Sequence, residues 1–212
     1  MLNITNGDYF NEYFKNKFNA RAVPFREVMM QGVASEKIFS SEFISNRAIS
    51  LGVEEREYLK NCADLLSAVD ELKGGGQIDL WFGKDTFCQL NALTALAYLE
   101  QIGYGGKVFF NFIDDESFEI ISEKTEVKLG VYNQIYIDVI LNKRPPKTYG
   151  VLDKEGVDLY FDYLSNNGFL ANEIKLMAKK SKEEIVERLI KISSKYGLSD
   201  LLAVDLIKRI LG

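Results

Sequence analysis

The 212-residue chain is 47% apolar and 27% charged, which supplies the core of one large domain or of one domain with a small appendage. Its net charge is −5 and the acidic excess lies wholly within residues 1–150, so neither part is the polycation that neutralises nucleic-acid phosphates, and nucleic acid is not the expected partner. With no histidine and only Cys62 and Cys88, the chain lacks imidazole acid–base chemistry, His-activated nucleophiles and the usual transition-metal and structural zinc sites.

Leu2-Asn3-Ile4-Thr5-Asn6 alternates with a period of two and stops at Gly7, which predicts a first strand. Aromatics at positions 9, 10, 13, 14 and 18 then follow helical spacing. Val23 to Met30 reads as a second extended segment ended by Gly32, and helices are expected from Glu36 to Leu51 and from Glu54 to Lys73. Gly74-Gly75-Gly76 closes the latter. Ile78 to Phe82 predicts a central strand, Thr86 to Ile102 a helix, and Lys107 to Ile113 a further strand. Strand, helix, strand over so short a span, with near-continuous apolar strands, is the pattern of a parallel crossover unit.

A strand is expected over Phe118 to Ser122 and a helix over Tyr132 to Leu141. Lys143-Arg144-Pro145-Pro146-Lys147 marks a boundary, since two prolines stop a helix. Beyond it the periodicity is helical throughout, over about 153–165, 169–179, 182–195 and 199–211. The expected architecture is α/β: a Rossmann-like three-layer domain with a mostly parallel sheet over 1–147, then a small all-helical C-terminal domain over 148–212. No stretch has the ~18 uncharged apolar residues of a membrane span and no export signal opens the chain. A cytoplasmic protein with reduced thiols and no membrane contact is therefore expected. The oligomeric state is not legible.

In a parallel sheet, ligands sit where the strands end. Three predicted strands end in polar clusters: Asn6-Gly7-Asp8, Gly83-Lys84-Asp85 and Asp114-Asp115-Glu116. The helix after the second carries Cys88, Gln89 and Asn91 among leucines and alanines, and such amides need partners if buried. These residues predict a crevice for a small-molecule or phosphate-bearing, nucleotide-type ligand, with Lys84 and helix N-terminal amides on the phosphate. With no imidazole, any acid–base work falls to Asp8, Glu27 or Asp85, and Mg²⁺ is the hard cation such carboxylates would hold. Neither G-x-G-x-x-G nor a Walker A sequence occurs. Local roles compete with these readings. Thr86 and Gln89 match a capping box, Asp8 can cap its helix, Asp114 to Glu116 can form a solvated turn, Glu27 can be an edge charge, and Cys88 can be core filler.

Several segments together resemble the bacterial "domain of unknown function 1835" family over roughly residues 2–120. They are Asn6-Gly7-Asp8, Pro24-Phe25-x-Glu27 with Gly32, Phe43-Ile44 with Arg47, and Leu80-Trp81-Phe82-Gly83-x-Asp85-x-Phe87-Cys88-Gln89-x-Asn91. The helical remainder is similar to the region that often accompanies that domain. The resemblance implies an uncharacterised cytoplasmic α/β domain of bacterial type. Relatives are often labelled AraC-type transcriptional regulators, but that family's paired DNA-binding helices are not recognisable here. The alternative, a regulator or interaction protein acting through its C-terminal helices, comes from the chain itself. Lys182 to Lys195, a turn at Tyr196-Gly197-Leu198 and a helix from Ser199 can be drawn as a helix-turn-helix with Lys191, Lys195, Lys208 and Arg209 on the DNA backbone, although an antiparallel helical hairpin explains the same pattern.

Overall fold

The computed structural model describes residues 1–72, 75–114, 116–122 and 124–212. Five strands, β1 (Leu2–Asn6), β2 (Ala22–Phe25), β3 (Gln77–Phe82), β4 (Lys107–Phe112) and β5 (Thr125–Val127), form one sheet in the order β2-β1-β3-β4-β5. The first four are parallel and β5 runs antiparallel to β4. From β1 the chain moves outward to β2, returns past β1 to β3, and continues to β4, so the winding reverses between β1 and β3.

Alternation along the strands sorts the two faces. Leu2, Ile4, Ile78, Leu80, Phe82, Val108 and Phe110 point into the main apolar core. Asn3, Thr5, Asp79, Trp81 and Asn111 fall on the other face, covered by α1 (Gly7–Phe18) through Phe10 and Phe14. Polar groups buried there have partners, as buried polar groups must. Trp81 Nε1 donates to Asn3 Oδ1 (3.0 Å), Thr5 Oγ1 to Asn11 Oδ1 (3.0 Å), and Lys124 Nζ lies 2.6 Å from Asp79 Oδ2.

The apolar face carries α3 (Glu55–Asp70) and α4 (Thr86–Gln101), with α2 (Ser41–Leu51) packed on α3. Twelve of the sixteen α4 residues are buried, because α4 is a middle layer. It lies on the sheet and is covered in turn by α5 (Tyr132–Tyr136) and α6 (Lys154–Leu164). A π turn (Ile137–Leu141) extends α5. The chain ends in α7 (Phe169–Leu176), α8 (Lys182–Ile192), a 3₁₀ turn (Ser194–Tyr196) and α9 (Asp200–Leu211). One continuous apolar cluster runs from Leu2 to Ile207, so residues 148–212 share the core of the sheet.

Three expectations are corrected. Phe118 to Ser122 is no strand: a single bridge pairs Ile113 with Ile120, and the edge strand is Thr125–Val127. The second extended segment pairs only as far as Phe25, and α2 begins at Ser41 rather than Glu36. Ser40 sets that start, accepting a hydrogen bond from the Phe43 amide as N-cap. The expected end of α3 at Lys73, and Gly74 of the glycine run, lie outside the described residues.

Candidate functional site

All four parallel strands deliver their carboxyl ends to one edge of the sheet, yet the crevice between β1 and β3 is filled by side chains. Asn91, one turn into α4, donates to Asn6 Oδ1 (3.0 Å) and to the Glu27 carbonyl (2.7 Å), and accepts from the Met29 amide (3.2 Å). Asn6 Nδ2 also contacts Cys88 Sγ at 2.8 Å. Asn6, Cys88 and Asn91 thus tie β1, α4 and the segment after β2 together, and both cysteines are buried.

The open space lies beside this plug. A cleft of about 520 Å³ is lined by Lys84 and Asp85 after β3, Ile113, Asp114 and Glu116 after β4, Asp153, Glu155 and Leu159 at α6, and Lys195 of the 3₁₀ turn. Two of the three predicted strand-end clusters therefore meet in one cavity. Asn6, Gly7 and Asp8 are not among its lining residues. Asp8 turns toward β2 instead, where Arg26 Nε reaches both of its carboxylate oxygens (2.8 and 3.0 Å) on the surface. Asp115 lies outside the described residues.

Much of the polar strand-end motif is spent on the protein itself. Asp85 is the N-cap of α4, accepting from the Cys88 amide at 2.7 Å. The expected Thr86–Gln89 capping box does not form, because both side chains face the C-terminal segment. Thr86 Oγ1 donates to the Lys195 carbonyl (3.4 Å), and Gln89 bridges the Gly83 carbonyl to the Asp153 amide (2.7 Å to the latter). Asp153 caps α6 through the Gly156 amide at 3.1 Å. The N-terminal amides of α4 and α6, which suit a bound phosphate, already face carboxylates.

Gly156 lets α6 approach, since a Cβ there would overlap the Lys84 carbonyl oxygen and press on Gln89 Cγ. Helix propensity alone makes Gly156→Ala stabilising by up to ~1 kcal/mol. Overpacking makes it destabilising by about 1–3 kcal/mol, and we expect the second sign. A urea midpoint at or above that of the parent chain would refute the close docking.

The cleft is acidic: Asp85, Asp114, Glu116, Asp153 and Glu155 face Lys84 and Lys195. Lys195 is paired with Glu155 at 2.6 Å, which raises its pKa. Lys84 makes no ion pair among the described residues and lies 5.2 Å above the Phe112 ring. The Asp114 carboxylate accepts from the Ser117 amide (2.8 Å), the Ser117 hydroxyl (2.9 Å) and the Glu116 amide (3.2 Å), which holds it below the usual carboxylate range. Among the described residues, no three of Cys, Asp and Glu are grouped to hold a metal ion.

Glu27, taken from the sequence as a catalytic candidate, lies in the core. Its carboxylate meets Arg47 Nε (3.1 Å) and the Tyr58 hydroxyl, with Cys62 Sγ 3.9 Å away. Arg47 is 0% and Glu27 2% exposed. Burial pushes the Glu27 carboxyl above its ordinary value against the pull of Arg47 and Tyr58, and burial beside Glu27 pushes the Cys62 thiol up to about 12. Residues that sequence reasoning missed are Asp153 and Glu155, while Lys195 was assigned to the DNA backbone rather than to this cleft. The only signal of Asp153 and Glu155 was their place at the start of the capped helix that follows the proline boundary.

The basic residues of the C-terminal helices are partly engaged internally: Lys195 with Glu155, and Arg209 with the Tyr163 carbonyl. No protein-family model, no curated protein and no solved structure matches the chain.

Proposed function

We propose that this chain is a Rossmann-like small-molecule-binding protein whose helical segment 148–212 forms one wall of the binding cleft. The observation that carries the reading is the cleft of about 520 Å³ at the carboxyl ends of β3 and β4, a volume in the range of small-molecule sites. The reversal of winding between β1 and β3 supports the Rossmann-like assignment, because doubly wound α/β sheets reverse their strand order at such a point; the cleft lies beside it, at β3 and β4.

Charge selects the ligand class. Five carboxylates against two ammonium groups favour a ligand bearing an amine or several hydroxyls over a bare phosphate. The second reading is a phosphate-bearing ligand on Lys84 accompanied by Mg²⁺, favoured by the same surplus of carboxylates. We propose binding without assigning a reaction, since Asp8, Glu27 and Asp85 each already hold a partner within the protein. The reading retains the resemblance to the domain-of-unknown-function-1835 family and a cytoplasmic location. No described helix is long and apolar enough to cross a membrane.

Thermal shift with amines, polyamines, polyols and nucleotides, each with and without Mg²⁺, tests the proposal. A ligand at 100 times its Kd adds about 2.7 kcal/mol, which for a chain of this size raises Tm by about 5–10 °C. The double variant Asp114→Asn, Glu116→Gln is expected to abolish that shift while leaving the unliganded Tm close to the parent value. Silence across the panel, or an equal shift in the variant, would count against the cleft.

A further inference from the structure

A second cavity, of about 270 Å³, lies between the loop after β2 and helices α6 and α9, where Gln31, Lys143, Tyr160, Tyr163, Asp205 and Arg209 line it. None of these residues lines the acidic cleft.

The wall nearest β2 is rigidly built. Arg47, held by Glu27, donates to the Gln31 carbonyl (2.6 Å) and the Val28 carbonyl (3.1 Å). Gly32 has φ +81°, and a Cβ there would lie 2.6 Å from Arg47 Nη1, so only glycine lets the loop close over the guanidinium. The buried Glu27–Arg47 pair therefore sets the position of Gln31. The opposite wall is a pair of tyrosines from α6, Tyr160 and Tyr163, with rings stacked at 6.5 Å and 14°.

Two cations sit on those rings. Lys143 Nζ donates to the Tyr160 hydroxyl (2.6 Å) and lies 5.1 Å from its ring centre. Arg209 Cζ lies 4.9 Å from the Tyr163 ring centre, and its guanidinium donates to the Tyr163 carbonyl. Neither makes an ion pair among the described residues, although Asp205 lines the same cavity. Much of the Lys143 chain is exposed, yet its ammonium end is tucked against Tyr160, where burial and the Arg47 charge lower its pKa to about 8.

The cavity thus offers two cations with no ion pair among the described residues, one carboxylate, and apolar surface from Met30, Leu164 and Leu206. A simple anion would satisfy the cations but meet the Asp205 charge. A simple amine would do the reverse. We propose that this cavity binds the zwitterion of a small α-amino acid, its carboxylate toward Lys143 and Arg209 and its ammonium toward Asp205. The small volume restricts the side chain to a short, largely apolar one.

Calorimetric titration of the full chain with the twenty standard L-amino acids tests this, followed for any binder by its decarboxylated amine and its deaminated acid. At least one amino acid is expected to bind with a Kd below about 1 mM, and each truncated analogue to bind at least about tenfold more weakly. Lys143→Met, shown to be folded by circular dichroism, is expected to weaken binding by at least about tenfold, while Asp114→Asn in the other cleft leaves it unchanged. Any of three results overturns the proposal: no amino acid binds, the deaminated acid binds as tightly as its amino acid, or folded Lys143→Met binds normally. Loss of binding in Asp114→Asn with retention in Lys143→Met would assign the ligand to the acidic cleft instead.

Discussion

Arg47→Ala is expected to destabilise the fold by about 3–5 kcal/mol at pH 8, the cost of leaving a buried carboxylate without its counter-charge. Glu27 keeps only the Tyr58 hydroxyl and the distant Cys62 thiol as side-chain partners, and the carbonyls of Gln31 and Val28 lose their donor. The loss should depend on pH in a defined direction. Burial raises the Glu27 pKa above its ordinary value of 4.5, so the folded chain holds this proton more tightly than the unfolded one. Stability from the neutral carboxyl is then complete below about pH 4.5 and declines as pH rises through the raised value. Removing Arg47 takes away the main influence that lowers this pKa, so the deficit should shrink on going from pH 8 to pH 5. Urea unfolding of parent and variant at both values measures it. A deficit under ~1 kcal/mol at pH 8 would show that the ion pair is not the anchor of this core. If the variant does not fold, Tyr58→Phe removes one donor and should cost about 1–3 kcal/mol.

Gln89→Met should be the most damaging substitution in the strand-end motif. Its near-isosteric side chain fills the same space but leaves the Gly83 carbonyl and the Asp153 amide unpaired where α6 meets β3. At about 1–3 kcal/mol for each of the two orphaned groups, the total is about 2–6 kcal/mol. The effect should also be local. Hydrogen exchange is expected to accelerate first at the start of α6, around 153–157, and in the loop 83–85. If protection is lost uniformly, or the cost is below ~1 kcal/mol, the helical segment docks by apolar contact alone and Gln89 is incidental. Because Gln89 holds α6 against Lys84, the same variant should weaken any ligand of the acidic cleft.

Elements with strong periodicity were legible from the chain. The strands at 2–6, 77–82 and 107–112 and the four C-terminal helices lie within a few residues of their predicted positions. Misreadings arose where pairing rather than pattern decides. Phe118 to Ser122 has strand-like composition, but Phe118 adopts φ +59° and packs on Tyr9, Phe10 and Tyr13, so the edge of β4 is taken by Thr125–Val127. At the site, hydrogen-bonding capacity on α4 was visible as amides among leucines and alanines, but its direction was not. Gln89 and Asn91 are two positions apart on a helix, so they face different neighbours: one the C-terminal segment, the other β1 and Glu27. Glu27 shows the same limit, since an isolated carboxylate in an apolar stretch reads alike whether its partner is a substrate or an arginine twenty residues on.

By itself the sequence determined the kinds of segment, the absence of imidazole chemistry, and the concentration of polar groups where the strands end. Those follow from local periodicity and from side-chain inventory, which need no knowledge of neighbours. Only the tertiary structure decided which polar groups were already consumed. Burial obliges each polar atom to find a partner, and that partner comes from a distant part of the chain: Arg47 for Glu27, Asn6 for Asn91, Asp153 for Gln89. The acidic cleft beside Lys84 and the cavity between Lys143 and Arg209 are the two places proposed to meet another molecule.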